Sequence, residues 1–291
     1  MIYILLCILV NTAIILAFRF FPKFNIDSFQ AIAANYYVAS FLGFQLSNET
    51  FDVHYISHQP WLIHVIILGL LFVSLFYLIS VTTIVFGVSV SSVANKMSIV
   101  IPVMFAVMVY GDSLTKMQFV GVILAIAAVV MVSFKKPFDK ASIPLKQWHY
   151  ILPIVLFFGC GSIDTLIGFL QKKFTSTVSN EYILSTAFLF AAVAGTLSFL
   201  IMLALKKIQA KPKSILVGLL LGIPNFFSMY LVMKSLESGV LTSSTFFPVN
   251  NMSIVVLGTL ISVLVFKETL SKLNTFGIIL SVIAIFLIAF M

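Results

Sequence analysis

The chain has 291 residues, of which 61% are hydrophobic and only 9% are charged, and its formal net charge is +8. A soluble domain is about 25% charged and could not bury this much apolar surface, so the composition predicts a multi-pass membrane protein. Most lysines lie in connections between apolar segments, where they meet lipid headgroups, so the positive charge does not require a nucleic-acid partner.

Ten segments approach the roughly 20 apolar residues that a bilayer crossing requires, so the sequence predicts ten membrane-spanning helices. They occupy residues 2–20, 28–47, 61–86, 88–110, 117–134, 150–171, 180–205, 214–235, 240–266 and 273–291. The opening span has no basic N-terminal region and no small-residue cleavage site, which favours a retained helix over a signal peptide. The longest connections are an acidic one at residues 48–60 and a basic one at residues 135–149.

Cys7 and Cys160 both fall inside apolar spans, where a small buried thiol fits better than a disulfide. The four histidines lie near helix ends or in connections, without neighbouring cysteines or paired spacing. We therefore expect no metal site and no cofactor.

The sequence of one helical hairpin occurs twice in the chain. Residues 110–132 align with residues 266–288 without a gap. The matching positions include polar ones: Asp112 with Glu268, Ser113 with Thr269, Lys116 with Lys272, Gln118 with Asn274, and Gly121 with Gly277. Each copy holds five spans, and an odd number forces the second copy to enter the membrane from the opposite side. The sequence therefore predicts an all-α membrane protein of two inverted five-helix repeats. The repeats are residues 1–134 and 150–291, joined by a basic inter-repeat loop at residues 135–149.

The duplicated block resembles the drug/metabolite transporter superfamily, in its EamA-like ten-helix form. In the first copy, the residues on which the resemblance rests are Tyr77, Gly87, Ser91, Ser92, Pro102, Val103, Gly111, Asp112, Gln118 and Gly121. In the second copy they are Tyr230, Gly239, Ser243, Ser244, Glu268 and Gly277. The Gly-Glu pair of that family reads Gly111-Asp112 and Lys267-Glu268 here. The Trp-Gly pair of its first helix is missing, and Val10-Asn11 stands nearby. The resemblance implies the fold and carrier activity, but the superfamily moves very different solutes.

The basic residues are distributed unevenly between the two sets of connections. Twelve of the 17 lysines and arginines lie in connections that follow odd-numbered spans, and four lie in the other set. The positive-inside rule then predicts that both termini face outside. The family resemblance implies both termini inside. We favour the charge count because the N-terminus carries no basic side chain.

Two full charges lie well inside predicted spans, away from their ends: Lys96 in span four and Asp164 in span six. A charge near the bilayer centre costs about 2.5–3.5 kcal/mol on insertion scales, so each should face protein or water. Lys96 is predicted to bind an anionic or carboxylate-bearing solute, and Asp164 to carry a coupled proton. The alternative is an ion pair between them that only holds two helices together.

Other polar residues are predicted to line the same site. Ser91 and Asn95 lie near Lys96 in span four, and Asn250 and Asn251 follow Pro248 in span nine. Because proline kinks a helix, prolines at corresponding places of the two repeats point to a site at the membrane midplane. The remaining predicted site residues are Asn11, Tyr77, Asn225 and Tyr230. Taken singly, each of these four fits an interhelical hydrogen bond better than a ligand contact.

Two further predictions concern structure rather than the solute. The GxxxG spacing of Gly218 and Gly222 predicts close helix packing. Asp112 and Glu268 begin short turns, and we expect them to pair with Lys116 and Lys272, four residues further on.

The sequence thus predicts a secondary active transporter that moves a small organic metabolite by alternating access. The resemblance favours an amino-acid-like solute and efflux. No ATP-binding loop of the GxxxxGK[ST] type is present, so an ion gradient or the solute's own gradient must drive it. A channel and an intramembrane lipid-modifying enzyme are the alternatives. The expected partners are the solute and membrane lipids, the expected location is the plasma membrane (the inner membrane in a bacterium), and the oligomeric state stays open.

Overall fold

The structure is a computed structural model that describes residues 2–47, 49–110, 115–133, 147–174, 178–238, 240 and 243–290. Within these residues, each of the ten predicted spans contains helix. The helices are α1 Ile2–Phe20, α2 Ser28–Leu46, α3 Val53–Ser57, α4 Leu62–Phe86, α5 Val88–Met97, α6 Val100–Phe105, α7 Lys116–Ser133, α8 Leu152–Phe174, α9 Asn180–Ala204, α10 Pro212–Glu237, α11 Ser243–Leu264 and α12 Lys272–Phe290. Their ends differ from the predicted ends by only a few residues.

The helices have the length and composition that a membrane requires. In the described residues, six are long and apolar enough to cross a bilayer, and three shorter apolar helices accompany them. The nineteen-residue α2 is not among these, and its polar residues Gln30, Asn35 and Ser40 are buried. The chain is therefore an all-α multi-pass membrane protein, as predicted. Cys7 and Cys160 are both buried and are not joined in a disulfide, as predicted.

Several sequence predictions fall on residues outside these ranges. They concern Asp112 and its pairing with Lys116, Gly111, Gly239 and the greater part of the inter-repeat loop, residues 134–146. The repeat boundaries stay a prediction.

The chain forms two compact units. Unit one comprises Met1–Phe20, Leu78–Ser162 and Leu231–Met291, and unit two comprises Phe21–Tyr77 and Ile163–Tyr230. Each unit draws helices from both predicted repeats.

In unit one, α7 and α12 pack against each other through reciprocal contacts. Gln118 donates a hydrogen bond to the carbonyl of Ile288, and its repeat equivalent Asn274 donates one to the carbonyl of Val132. Val132 is in turn the equivalent of Ile288. When a residue of one helix contacts a residue of the other, and their repeat equivalents make the same contact in the opposite direction, the two helices are related by a two-fold axis. Because each bond joins the start of one helix to the end of the other, the helices are antiparallel, which confirms that the second hairpin is inverted.

Unit two shows the same kind of reciprocity. A Cβ added to Gly69 would lie 2.7 Å from the carbonyl oxygen of Ala187, and a Cβ at Gly222 would collide with the carbonyl oxygen of Asn35. Gly69 and Gly222 are repeat equivalents that each let α4 or α10 approach the backbone of α9 or α2. Gly218 packs equally closely on Ala31, so the GxxxG prediction is confirmed.

Span four is broken, and the break follows from its proline. α5 ends at Met97 and α6 begins at Val100, and a π-helical segment occupies Ala106–Tyr110. Pro102 cannot donate to the carbonyl of Ser98, which instead accepts from the amide of Ile101 at 2.9 Å. The corresponding break expected at Pro248 is absent, because α11 is continuous from Ser243 to Leu264.

The glycine contacts give a testable stability difference. Gly222→Ala should destabilise the protein by about 1–3 kcal/mol, because the new methyl group overlaps the α2 backbone. Gly168→Ala is the matched control, since nothing lies within 4 Å of a Cβ there. That change should be neutral or stabilising by up to about 1 kcal/mol through helix propensity. Thermal unfolding in detergent compares them, and equal midpoints would contradict the packing argument.

Candidate functional site

Unit one contains a line of polar side chains where α1, α5 and α11 pack together. We call it the polar seam, and it comprises Asn11, Arg19, Ser89, Ser91, Ser92, Asn95, Lys96, Asn250, Asn251, Ser262 and Glu268. It runs from the start of α5 to the end of that helix. Its two ends differ in chemistry.

At the first end, Glu268 caps the start of α5. Its carboxylate accepts the amide N–H of Val88 at 3.0 Å and the hydroxyl of Ser89 at 3.4 Å. Ser89 also contacts Ser262 of α11 at 2.8 Å. A carboxylate at a helix N-terminus satisfies unpaired amides and complements the positive end of the helix dipole. Glu268 is only 3% exposed, so water does not screen this interaction.

Gly87 makes this cap possible. Its φ of +96° lies in the left-handed region, and a side chain there would overlap the Glu268 carboxylate. Glycine is the residue that adopts this backbone without strain. The sequence prediction that Glu268 pairs with Lys272 is therefore wrong. The Glu268 carboxylate instead caps the N-terminus of α5, 180 residues away in the chain.

Arg19 completes the first end of the seam. It lies in the last turn of α1, donates from Nη1 to the carbonyl of Ile84 at 3.1 Å, and interacts electrostatically with Glu268. In the count of basic residues by connection, Arg19 was one of the twelve that follow odd-numbered spans. In the structure it ties α1 to the junction between α4 and α5.

At the other end of the seam lies Lys96. It is half-buried in the last turn of α5, near Cys7 on α1. Glu268 is the one carboxylate of unit one whose side chain the structure describes. It binds at Val88, about 12 Å along the helix axis from Lys96. The predicted ion pair with Asp164 joins residues of different units and stays a prediction.

The polar neighbours of Lys96 on α5 differ in how far their hydrogen bonds are satisfied. Ser91 is fully buried and donates a long bond of 3.4 Å to the carbonyl of Ile79. Asn95 is half-buried, and its backbone carbonyl accepts the hydroxyl of Ser98 at the break in span four. Ser92 is fully buried, and its hydroxyl has no hydrogen-bond partner in the described part of the chain.

On α11, Asn250 has the same unsatisfied character. It is 4% exposed, and its carbonyl oxygen Oδ1 has no partner among the described residues. Asn251 beside it is half-buried. Buried polar groups are almost always paired, so an unpaired one calls for an explanation such as a ligand. Ser92 lies directly against Gly258, so these groups lie on two helices that touch.

Asn11 on α1 is bound within its own helix. Its amide donates to the carbonyl of Cys7 at 2.9 Å and approaches the Cys7 sulfur at 3.5 Å. Its amide oxygen is the group that could accept a bond from a solute.

The other predicted site residues belong to unit two. Asn225 donates to Asn35 at 2.6 Å, which favours the interhelical hydrogen bond over a ligand contact. Tyr77 packs edge-on against Phe29, and Tyr230 stacks on Phe226. Asp164 lies on an exposed face of α8, the face that also carries Gly168. Six of the predicted site residues therefore belong to unit one and four to unit two, and their grouping into one site stays a prediction.

Sequence reasoning missed the functional position of Arg19, Glu268, Ser89 and Ser262. One signal was available, because Arg19 is the single arginine of the chain and lies inside an apolar span. The glycine before α5 was another, since a helix that begins after Gly87 lacks a side-chain cap of its own.

Comparisons with known proteins agree with this architecture. A model of the EamA-like transporter family matches residues 141–290. An uncharacterized protein of Haemophilus influenzae is 30% identical over 288 residues, covering 97% of this chain and 96% of that protein. A crystal structure of a protein shares the fold with a TM-score of 0.60 at 17% identity, covering 98% of this chain and 94% of its own. The chain therefore belongs to the EamA-like transporter family, within the drug/metabolite transporter superfamily.

Proposed function

We propose that the chain is a secondary active transporter of the plasma membrane that carries a small organic solute with a carboxylate or another anionic group. The family supplies the transporter class. The observation that supports an anionic solute is the set of side chains at the Lys96 end of the polar seam. There, Lys96 follows Ser92 by one helical turn, and the buried hydroxyl of Ser92 has no partner among the described residues. On α11, which packs against α5, the buried amide oxygen of Asn250 is likewise unpartnered among those residues.

Each group has a distinct role in this proposal. The ammonium of Lys96 pairs with the negative group of the solute, in surroundings where charge interactions are stronger than in water. Ser92 and Asn250 offer hydrogen bonds to the remaining polar atoms of the solute. Asn95, Asn251, Ser91 and Asn11 shape the pocket around them. An amino-acid-like solute, with one carboxylate and a few donors, fits this set.

Transport requires that the site open alternately to the two sides of the membrane. A solute changes the balance between two such states only by as much as it binds them differently. The break at Ser98 lies at the edge of the proposed site, where a helix can bend without losing many backbone hydrogen bonds. We propose this break as the hinge beside the bound solute.

Asp164 is our candidate for the coupled proton. A carboxylate within a span can alternate between charged and neutral forms during the cycle. In proteoliposomes with an imposed pH gradient, Asp164→Asn should abolish gradient-driven accumulation while counterflow of solute continues. Accumulation that persists in this variant would remove Asp164 from the coupling step.

Proteoliposomes that contain the purified protein test the proposed function. Uptake of a labelled carboxylate-bearing solute should saturate, and unlabelled solute inside should accelerate it by counterflow. Candidate solutes come from a thermal-stability panel of amino acids, other carboxylates, amines and sugars. Flux that rises linearly with concentration would indicate a channel instead. Stabilisation by amines or sugars alone would contradict the anionic class.

A further inference from the structure

Unit two carries a concentration of positive charge at one end. We call it the basic platform, and it comprises Lys23, Lys206, Lys207, Lys211 and Lys213. Lys23 lies in the connection between α1 and α2, and Lys213 lies in the first turn of α10. The other three lie in the connection between α9 and α10. Four of the five side chains are exposed, and Lys211 is half-buried.

Hydrogen bonds hold the two connections together. Gln30 donates from Nε2 to the carbonyl of Gln209 at 2.8 Å and accepts the amide of Lys211 at 2.7 Å. The amide of Asp27 donates to the hydroxyl of Ser214 at 2.8 Å. Gln30 is 2% exposed and Ser214 is fully buried, so these bonds are shielded from water. The lysines therefore project from a fixed base.

Two charges of the platform, those of Lys211 and Lys213, are held by neutral partners. Lys211 Nζ donates to the side-chain oxygen of Asn25 at 3.0 Å. Lys213 Nζ donates to the carbonyl of Phe24 at 3.1 Å and lies 5.8 Å from the centre of its ring. Asp27 is the one acid in these two connections, and its carboxylate caps α2 at Gln30. The platform thus keeps a strong positive potential.

Of the other acids in unit two, Asp164 lies on α8, and three lie near the opposite ends of α2 and α9. Glu49 binds Ser179 just before α9, Asp52 caps α3, and Glu181 lies in the first turn of α9. These positions follow the end of α2 or precede α9, whereas the platform precedes α2 and follows α9. The basic platform and these three acids are therefore at opposite ends of the pair formed by α2 and α9.

An apolar face begins directly at the platform. Lys213 in the first turn of α10 shares a helical face with Leu216, Leu220 and Ile223, at spacings of three and four residues. These three side chains are 59%, 60% and 44% exposed. A lysine at the end of a lipid-facing apolar stripe places its ammonium at headgroup level while its stem stays in the apolar region.

We propose that the basic platform is a binding site for the headgroup of an anionic phospholipid, with the acyl chains along the Leu216–Ile223 face of α10. The phosphate pairs with Lys207 and Lys213, and the other three lysines add attraction. This proposal does not depend on which solute is transported. It predicts that anionic lipid stabilises the protein where neutral lipid does not.

The test uses the purified full chain in a neutral detergent. Phosphatidylglycerol should raise the thermal midpoint, and phosphatidylcholine of the same chain length should not. In Lys207→Gln/Lys213→Gln the apparent affinity for phosphatidylglycerol should fall about tenfold or more, because each lysine near the surface contributes about 1 kcal/mol. Lys267→Gln/Lys272→Gln is the matched control. It removes the same charge from exposed lysines of unit one and should bind like the wild type.

Three results would overturn the proposal. They are equal stabilisation by both lipids, an unchanged response of Lys207→Gln/Lys213→Gln, and full stabilisation by soluble glycerol phosphate, which would indicate a free-phosphate site. Lys207→Arg/Lys213→Arg separates charge from folding. It should keep the phosphatidylglycerol response, and its loss alongside an unchanged midpoint without lipid would also contradict headgroup binding.

Discussion

Lys96→Met is expected to abolish solute-dependent stabilisation and transport while leaving the protein folded. Truncating one partner of a desolvated charge pair costs about 2–5 kcal/mol, which is a factor of about 30 or more in affinity. The measurements are the shift of the thermal midpoint with the carboxylate-bearing solute and the initial rate of counterflow. We expect the fold to be retained because Lys96 is only half-buried at the end of α5. The one described carboxylate of unit one, that of Glu268, binds at the other end of α5.

Three companion variants sharpen this prediction. Lys96→Arg keeps the charge and should keep much of the binding. Asn250→Ala should weaken binding less, by about tenfold, through the loss of one hydrogen bond to a charged group. Lys272→Met changes an exposed lysine and should behave as the wild type. If Lys96→Met binds solute normally, the proposed site is wrong.

The ion-pair alternative has its own signature. If Lys96 and Asp164 hold two helices together, Lys96→Met and Asp164→Asn should each unfold more easily than the wild type. The double variant, in which neither charge remains, should then recover stability. Independent behaviour of the two single variants would support the solute role.

Glu268→Gln is the second large expected effect, and it concerns stability. The substitution removes the charge that caps α5 and leaves the Arg19 guanidinium without its nearby carboxylate. Breaking a buried charge arrangement on one side costs about 3–5 kcal/mol, and the partial exposure of Arg19 reduces this to about 2–3 kcal/mol. Thermal and denaturant unfolding of the purified protein in detergent measure the loss.

The controls follow from the two possible partners of Glu268. Arg19→Met/Glu268→Gln should recover part of the loss, because no uncompensated charge remains. Lys272→Gln should cost almost nothing, since that side chain is exposed and Glu268 binds α5 instead. A loss in Lys272→Gln as large as that in Glu268→Gln would restore the local turn pair predicted from sequence.

The candidate site could be predicted only in part. Lys96, Ser91, Asn95, Asn250 and Asn251 were found from sequence, because polar groups inside apolar spans are costly and stand out. Their grouping with Arg19 and Glu268 was not found. An acid four residues before a lysine suggests a local pair, and nothing in the spacing reveals a helix start 180 residues away in the chain.

The same division applies to the hydrogen bonds between helices. For Asn225 the sequence favoured a hydrogen bond to another helix over a ligand contact, but it did not identify the partner, Asn35, which lies 190 residues away. Span four breaks four residues before Pro102, as backbone chemistry predicts, whereas α11 passes through Pro248 without a break. A proline stands in both places, so the residue type alone did not decide which helix breaks.

The sequence by itself determined the ten helices, their approximate ends and the inverted duplication. The bilayer sets the length of an apolar helix, and an odd number of spans forces the second copy to invert, so local composition suffices for both. The tertiary structure alone decided which polar groups meet, including the cap that Glu268 places on α5 and the unpaired Ser92 and Asn250. Such pairings depend on which helix faces come together, and apolar helices carry too little polar pattern for the sequence to specify that.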